Sequence, residues 1–145
     1  MKTMRHTGIV VEDLEKMLFF YRDLLGLKVI ERREESSGYI EALLATPGAS
    51  VTTVKLSCGN SVLVELLHFH SDPSDIRGQK GLCVNGISHI AFTVGDIDAE
   101  YGKLAAAGVA FVSAPQDSPD GGARVAFCRD FEGNFIELVE EVRAA

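Results

Sequence analysis

The sequence predicts an α+β fold: two tandem βαβββ modules whose strands form an incompletely closed, eight-stranded curved sheet. Two observations lead there. First, the chain restarts its own pattern, since residues 6–13 read HTGIVVED and residues 89–96 read HIAFTVGD. In both, a histidine opens an apolar run and an aspartate follows seven residues later. A 145-residue chain that repeats itself 83 positions on is best read as two copies of one supersecondary unit. Second, each copy passes from two-residue alternation to a helical stripe and back to alternation.

The elements follow in order. Residues 4–11 alternate as a strand, with His6, Gly8 and Val10 on one side and Thr7, Ile9 and Val11 on the other. Asp13 supplies a helix N-cap, and Leu14, Met17, Leu18, Tyr21, Leu24 and Leu25 make the stripe that must be buried, with Gly26 placed to end it. Residues 27–32 resume as a strand, a polar turn covers 34–38, and 39–44 is read as another strand. Residues 51–56 and 61–67 form a hairpin around Gly59-Asn60. The polar, Pro- and Gly-broken stretch 71–85 joins module 1–70 to module 86–145. In the second module 89–94 is a strand, and Asp96 caps a helix with Ile97, Tyr101, Leu104 and Ala105 inward and Gly108 at its end. Residues 109–112 read as a strand, and 113–122 (SAPQDSPDGG) as an irregular loop long enough to move over a pocket. Strands 123–128 and 135–140 close the module around a turn at 130–134.

Composition narrows the function. The net charge of −7, with no run of Lys or Arg, argues against nucleic acid or an anionic membrane as partner. No apolar run approaches the roughly 18 residues of a membrane span, and the N-terminus lacks a signal-like apolar core, so a cytoplasmic location is expected. Cys58, Cys83 and Cys128 are odd in number and far apart, and they read as reduced thiols in or near the core.

Two acidic residues stand where apolar ones are expected. Glu65 lies within VLVELL and Glu137 within NFIELV, and a carboxylate in an apolar strand is costly unless partnered. In the last strand Phe135, Glu137 and Val139 share a face against Ile136 and Leu138, and Leu63, Glu65 and Leu67 oppose Val64 and Leu66 in the same way. With helices over the aliphatic faces, the faces left carry His6, Glu65, His89 and Glu137, and a pseudo-twofold would point all four into one concave space. Any one of them alone reads as an ordinary strand residue with a satisfied partner. Four at equivalent places of a repeat favour a metal site instead. Neutral imidazoles and carboxylates suit Zn, Ni, Co, Mn or Fe, and two of each leave room for two substrate oxygens. An ion bound to adjacent substrate oxygens stabilises an enolate or enediolate, so that a carboxylate can remove the C–H proton next to a carbonyl. His68 and His70 share parity with Leu66, opposite to Glu65, and are rim residues. Lys55 and Arg124, out of phase with Val54 and Val125, are candidate cationic contacts for an acidic substrate.

At this point the chain resembles the vicinal oxygen chelate superfamily, which contains glyoxalases, bleomycin resistance proteins and dioxygenases. The carriers are HTGIVVEDLEKMLFFYRDLLGLKV from His6, VELL around Glu65, SHIAFTVGDID from Ser88 and CRDFEGNFIELVE from Cys128, spread over nearly the whole chain. One departure is Phe131, where the usual Asp-Pro-x-Gly-Asn turn has proline. The resemblance, strongest to the glyoxalase I-like branch, implies a single domain over residues 1–145 and one divalent ion on His6, Glu65, His89 and Glu137. It also implies a homodimer and a small carbonyl substrate. Among glyoxalases a metal-proximal Glu is the base, here Glu137 or Glu65. In the epimerases of the superfamily a separate Glu serves, and GYIEALL points to Glu41. Glyoxalase I usually has arginine where Val10 stands and asparagine where Phe69 stands, so both positions bear on substrate binding and speak against glutathione. The expected activity is that of a lyase or isomerase working by proton transfer through a metal-bound enediolate. The alternatives are a methylmalonyl-CoA-epimerase-like racemase and a non-catalytic small-molecule binding protein.

Overall fold

The computed structural model describes residues 1–59, 62–70 and 81–142. The chain divides into two compact units, Met1–Ile76 and Arg77–Ala145, each carrying one four-stranded mixed sheet. The first unit runs β1 (His6–Val10), α1 (Leu14–Leu18) continued by a π-helical turn (Phe19–Leu24), β2 (Lys28–Glu35), α2 (Gly38–Leu44), β3 (Val51–Ser57) and β4 (Leu63–Phe69). The second runs β5 (His89–Thr93), α3 (Ile97–Ala106), β6 (Gln116–Asp117), β7 (Ala123–Arg129) and β8 (Phe135–Glu141). Strand orders are β1-β4-β3-β2 and β5-β8-β7-β6. The first and last strands of each module pair in parallel and the rest antiparallel. The α+β plan is therefore present twice, its eight strands divided four and four.

Both predicted caps form. The Asp13 carboxylate accepts the Lys16 N–H at 3.0 Å, and Asp96 accepts the Ala99 N–H at 2.9 Å. Each satisfies a donor that the first turn of a helix leaves open. The α1 helix lies against β4, and α3 against β7 and β8. On the helix-facing sides Val54, Leu56, Val64 and Leu66 are buried in one sheet, and Ala126, Cys128, Ile136 and Leu138 in the other. These alternate with Glu65 and Glu137, so the phase read from the sequence holds.

Several local expectations are corrected. The first helix buries Leu14, Met17, Leu18, Phe20 and Tyr21, while Leu24 and Leu25 are only half-buried. The Leu25 N–H donates to the Phe20 carbonyl at 3.0 Å, a span of five residues, and this wider turn rotates the stripe so that adjacent Phe20 and Tyr21 both face inward. Residues 39–44 are helix, not strand, and β2 runs on to Glu35 through part of the expected turn. Ile40, the buried residue of α2, packs with Ala49 and Val51 against Leu67 and Phe69, on the Glu65 side of the sheet. Residues 109–112 form only a bridge between Phe111 and Cys128. The strand that pairs with β7 is β6, inside the segment read as irregular loop. Ala105 is exposed, and so are Cys58 and Cys83, whereas Cys128 is buried, its thiol pushed up to about 12 by desolvation and by the Asp130 carboxylate. Of the expected turn at Gly59-Asn60, Asn60 lies outside the described residues, as do residues 71–80 of the connector. No helix among the described residues is long and apolar enough to cross a membrane.

Candidate active site

In each unit the two ligand candidates face one another across a parallel strand pair. His6 enters on β1, and Glu65 on β4 lies one pleat further on, opposite Gly8. Their closest atoms, Nε2 and Oε2, are 3.0 Å apart. The second unit repeats this: His89 on β5, Glu137 on β8 opposite Ala91, and a distance of 3.1 Å between the same atoms. Glu65 and Glu137 expose only 13% and 21% of their side chains, so the imidazole is a needed partner for each carboxylate.

The surroundings of the pairs differ. Read across the strands, the row through Glu65 is Gly8, Glu65, Lys55, Glu31, from β1 to β2. Glu31 accepts from Lys55 at 2.7 Å and pairs with Arg33 at 2.6 Å, and these cations, Lys55 foremost, hold its carboxyl below the usual range. The row through Glu137 is Ala91, Glu137, Phe127, with the Phe127 ring edge-on to His89 at 5.1 Å between centroids. On its other side the His89 Nδ1 meets the Ser88 hydroxyl at 2.6 Å. A hydroxyl there can accept the hydrogen bond of an Nδ1–H, leaving the Nε2 lone pair for an ion, the usual arrangement behind a metal-bound imidazole. The residue before His6 is Arg5, without such a hydroxyl.

The donor chemistry fits a divalent ion. Each pair offers one neutral nitrogen and one carboxylate oxygen on facing side chains. Among the described residues no group of three or more His, Cys, Asp or Glu gathers where one ion could be held, so each pair is described by itself as two ligands.

Other predicted residues fall differently. Lys55 shares the face of Glu65 as expected but is engaged by Glu31. Arg124 does not share the face of Glu137: it pairs across β7–β8 with Glu140, on the helix side, and clamps Asp98 of α3 at 2.5 Å and Asp117 of β6 at 2.9 Å. Those carboxylates raise its pKa, and the expected substrate contact is corrected to a clamp between α3 and β6. Glu41 sits on α2 rather than on a strand, and its carboxylate accepts the Gly48 N–H at 3.2 Å. Val10 is 60% exposed beside Leu67, and Phe69 is partly buried against the Ile40 cluster. His68 bonds the Val11 carbonyl through Nδ1 at 3.2 Å, and His70 the Thr52 hydroxyl at 2.7 Å, both away from Glu65.

Sequence reasoning missed Glu31, Ser88 and Phe127. Ser88 stands next to His89 in the chain and its hydroxyl was a usable signal. Glu31 and Phe127 join the rows only through cross-strand register, which no local pattern displays.

Residues 3–138 match the profile of the Glyoxalase/Bleomycin resistance protein/Dioxygenase superfamily. The chain is 32% identical to a probable lactoylglutathione lyase of Synechocystis sp. over 93% of its own length and 92% of that protein's. It is 31% identical to an ethylmalonyl-CoA/methylmalonyl-CoA epimerase of Cereibacter sphaeroides, over 93% and 95%. A glyoxalase family protein of Bacillus cereus has the same fold, with a TM-score of 0.88 over 97% of this chain and 94% of that one at 24% identity.

Proposed function

This chain belongs to the Glyoxalase/Bleomycin resistance protein/Dioxygenase superfamily, and from that premise we propose that it is a metal-dependent, glyoxalase-like lyase or isomerase that moves a proton next to a carbonyl. The observation that carries the reading is the repeated His–Glu pair, His6 with Glu65 and His89 with Glu137, at matching places in two modules. Each pair would supply one imidazole nitrogen and one carboxylate oxygen to a Zn, Ni, Co, Mn or Fe ion. When bound, the ion supplies Lewis-acid polarisation of two adjacent substrate oxygens.

The chain's own residues do the rest. Glu137 is the proposed base: its row holds Ala91 and Phe127, with no cation directly opposite, and the diagonal Arg129 on β7 is taken up by the Gly133 carbonyl and the Phe135 ring. Glu65, one strand from Lys55, is proposed as a ligand only. Phe127 keeps water from one side of His89, and Ser88 orients the imidazole from the other. Val10 and Phe69 make the neighbouring surface of the first module apolar, which favours a substrate without glutathione's carboxylates there. The Gly48 bond of Glu41 gives that residue a loop-holding role, and it is not assigned to proton transfer.

An epimerase-like reading on an acyl thioester is the second choice. It is supported by the similarity to the Cereibacter protein along nearly both whole chains and by the missing polar groups at Val10 and Phe69. The reading includes a cytoplasmic homodimer, for which sedimentation at micromolar concentration should show a species well above the 15.7 kDa chain. One experiment tests the core of it. Purified protein is analysed for metal by plasma emission, then reloaded and given hemithioacetals and 2-substituted malonyl thioesters in D₂O. Metal-dependent incorporation of deuterium at the carbon next to a carbonyl is expected. Protein that binds no divalent ion and exchanges no proton on any of them would be a binding module instead.

A further inference from the structure

Beside the His6–Glu65 pair lies a lysine with two possible carboxylate partners. Lys55 on β3 is the direct cross-strand neighbour of Glu65 on one side and of Glu31 on the other. Side chains opposite one another on neighbouring strands lie within reach of each other, so an ammonium at this position has a choice. It takes Glu31, at 2.7 Å, and Glu31 is itself fixed from its other oxygen by Arg33 at 2.6 Å. Glu31 and Lys55 expose 29% and 23% of their side chains and Glu65 13%, so this choice is made where water screens less than at an open surface. The second module has no such arrangement: Phe127 stands where Lys55 does, and the diagonal cation, Arg129, is held by the Gly133 carbonyl and the Phe135 ring and not by a carboxylate.

From this, and resting on the ligand role proposed above for Glu65, we propose that Glu31 is a positioning residue which anchors Lys55 and thereby keeps the Glu65 carboxylate free for His6 and the metal ion. Without the negative charge at residue 31, the carboxylate left directly across a strand from Lys55 is that of Glu65. An ammonium bonded there competes directly with a cation for the same oxygens. Arg33 makes the anchor firm, since it orients the Glu31 carboxylate and shares none of its reach with Glu65: its own cross-strand neighbour is Thr53. An ordinary surface ion pair at this place would leave metal affinity untouched, and that is the difference to measure.

Glu31→Gln keeps the shape and removes the charge. Cobalt(II) alone is the probe, titrated into metal-free protein against a chromophoric chelator. The Glu31→Gln variant is expected to bind about 10- to 100-fold more weakly than wild type, the range typical when a partner behind a metal ligand is lost. Glu31→Gln/Lys55→Met should return to wild-type affinity, because the competing ammonium is gone. Equal affinity of wild type and Glu31→Gln overturns the proposal, and so does a double variant as weak as the single one. Wild-type protein that takes up no cobalt refutes the ligand reading instead. The positioning claim is then decided by a crystal structure of metal-free Glu31→Gln: Lys55 Nζ within hydrogen-bonding distance of Glu65 upholds it, and Lys55 remaining on the substituted side chain or in solvent overturns it.

Discussion

The two modules present the same His–Glu pair in opposite electrical settings. Around Glu65 the sheet row alternates charge, Glu65, Lys55, Glu31, while around Glu137 it is hydrocarbon, Ala91 on one side and Phe127 on the other. The repeated fold keeps the His–Glu positions, which are set by strand pleat and register. It leaves the flanking strand open to diverge, and there one copy has acquired a salt ladder and the other an aromatic wall. The outer ends of the same strands differ likewise. Glu140, near the end of β8, accepts the Ile97 N–H at 2.8 Å and ties α3 to the sheet. The matching place in β4 holds His68, which bonds the Val11 carbonyl instead.

The largest test of this contrast is to neutralise each carboxylate in turn. Glu137→Gln should cut turnover at saturating metal by about 10²–10⁴, the usual worth of a positioned base. Glu65→Gln should instead weaken metal binding, with much of the turnover recovered when metal is in excess. Measuring kcat against metal concentration for both separates the roles, and the reverse pattern would move proton transfer to the first module. Next in size is the loss of the imidazoles. His6→Ala/His89→Ala should bind cobalt at least about 100-fold more weakly than wild type, beyond what loss of an outer partner costs, and unchanged metal content would end the metal reading.

The asymmetry extends to substrate. If Val10 and Phe69 line the substrate site as proposed, the missing charged contact to glutathione would forfeit about 1.5–3 kcal/mol as a charged hydrogen bond, roughly ten- to a hundredfold in affinity. Lactoylglutathione formation from methylglyoxal and glutathione should be feeble. A kcat/KM near the 10⁶ M⁻¹s⁻¹ scale of efficient enzymes, followed at the thioester absorbance, would show that other groups hold the tripeptide.

A smaller contrast separates the two hairpin turns. Asp130 is buried, and its carboxylate accepts the N–H groups of Glu132 and Asn134 and the Asn134 amide, at 3.0, 2.9 and 2.8 Å. This staple holds the turn that carries Phe131. Asp130→Ala should cost about 1–3 kcal/mol by leaving buried donors unmet, whereas Cys58→Ala at the matching place in the first hairpin should shift the urea midpoint little. The smallest effect concerns thiol chemistry. With Cys128 buried and its pKa pushed up to about 12, it stays protonated through neutral pH. An alkylating reagent at pH 8 should therefore modify Cys58 and Cys83 in the native protein and reach Cys128 only on unfolding.

Much of this was legible in the sequence, for a physical reason. Strands buried on one face must alternate, so Glu65 and Glu137 were visible as breaks in an apolar rhythm, and the repeat located His6 and His89 beside them. GYIEALL was not legible, because over seven residues a strand and a helix can bury the same Ile40. Its Glu, Ala and Leu residues favour helix, and that preference outweighed the alternation. The loop of residues 113–122 looked irregular from its Pro and Gly content, yet Arg124 pins Asp117 and gives it a strand. The ladder from Glu31 to Glu65 spans three strands brought together from 34 residues of chain, and nothing in local order announces that register.

The parallel pairing of β1 with β4, and of β5 with β8, has a kinetic consequence. His6 meets its strand partner Leu63 across 57 residues and His89 meets Phe135 across 46, whereas β3 and β4 are joined by a short hairpin. Closing the longer loop costs more chain entropy before any contact repays it, so the antiparallel strands are expected to assemble early and the histidine-bearing strands to dock last. In a pulsed hydrogen-exchange experiment, amides of β3 and β4 should gain protection before those of β1. Each His–Glu pair would then join an early strand to a late one, and an ion held between them would slow the detachment of the edge strand that arrived last.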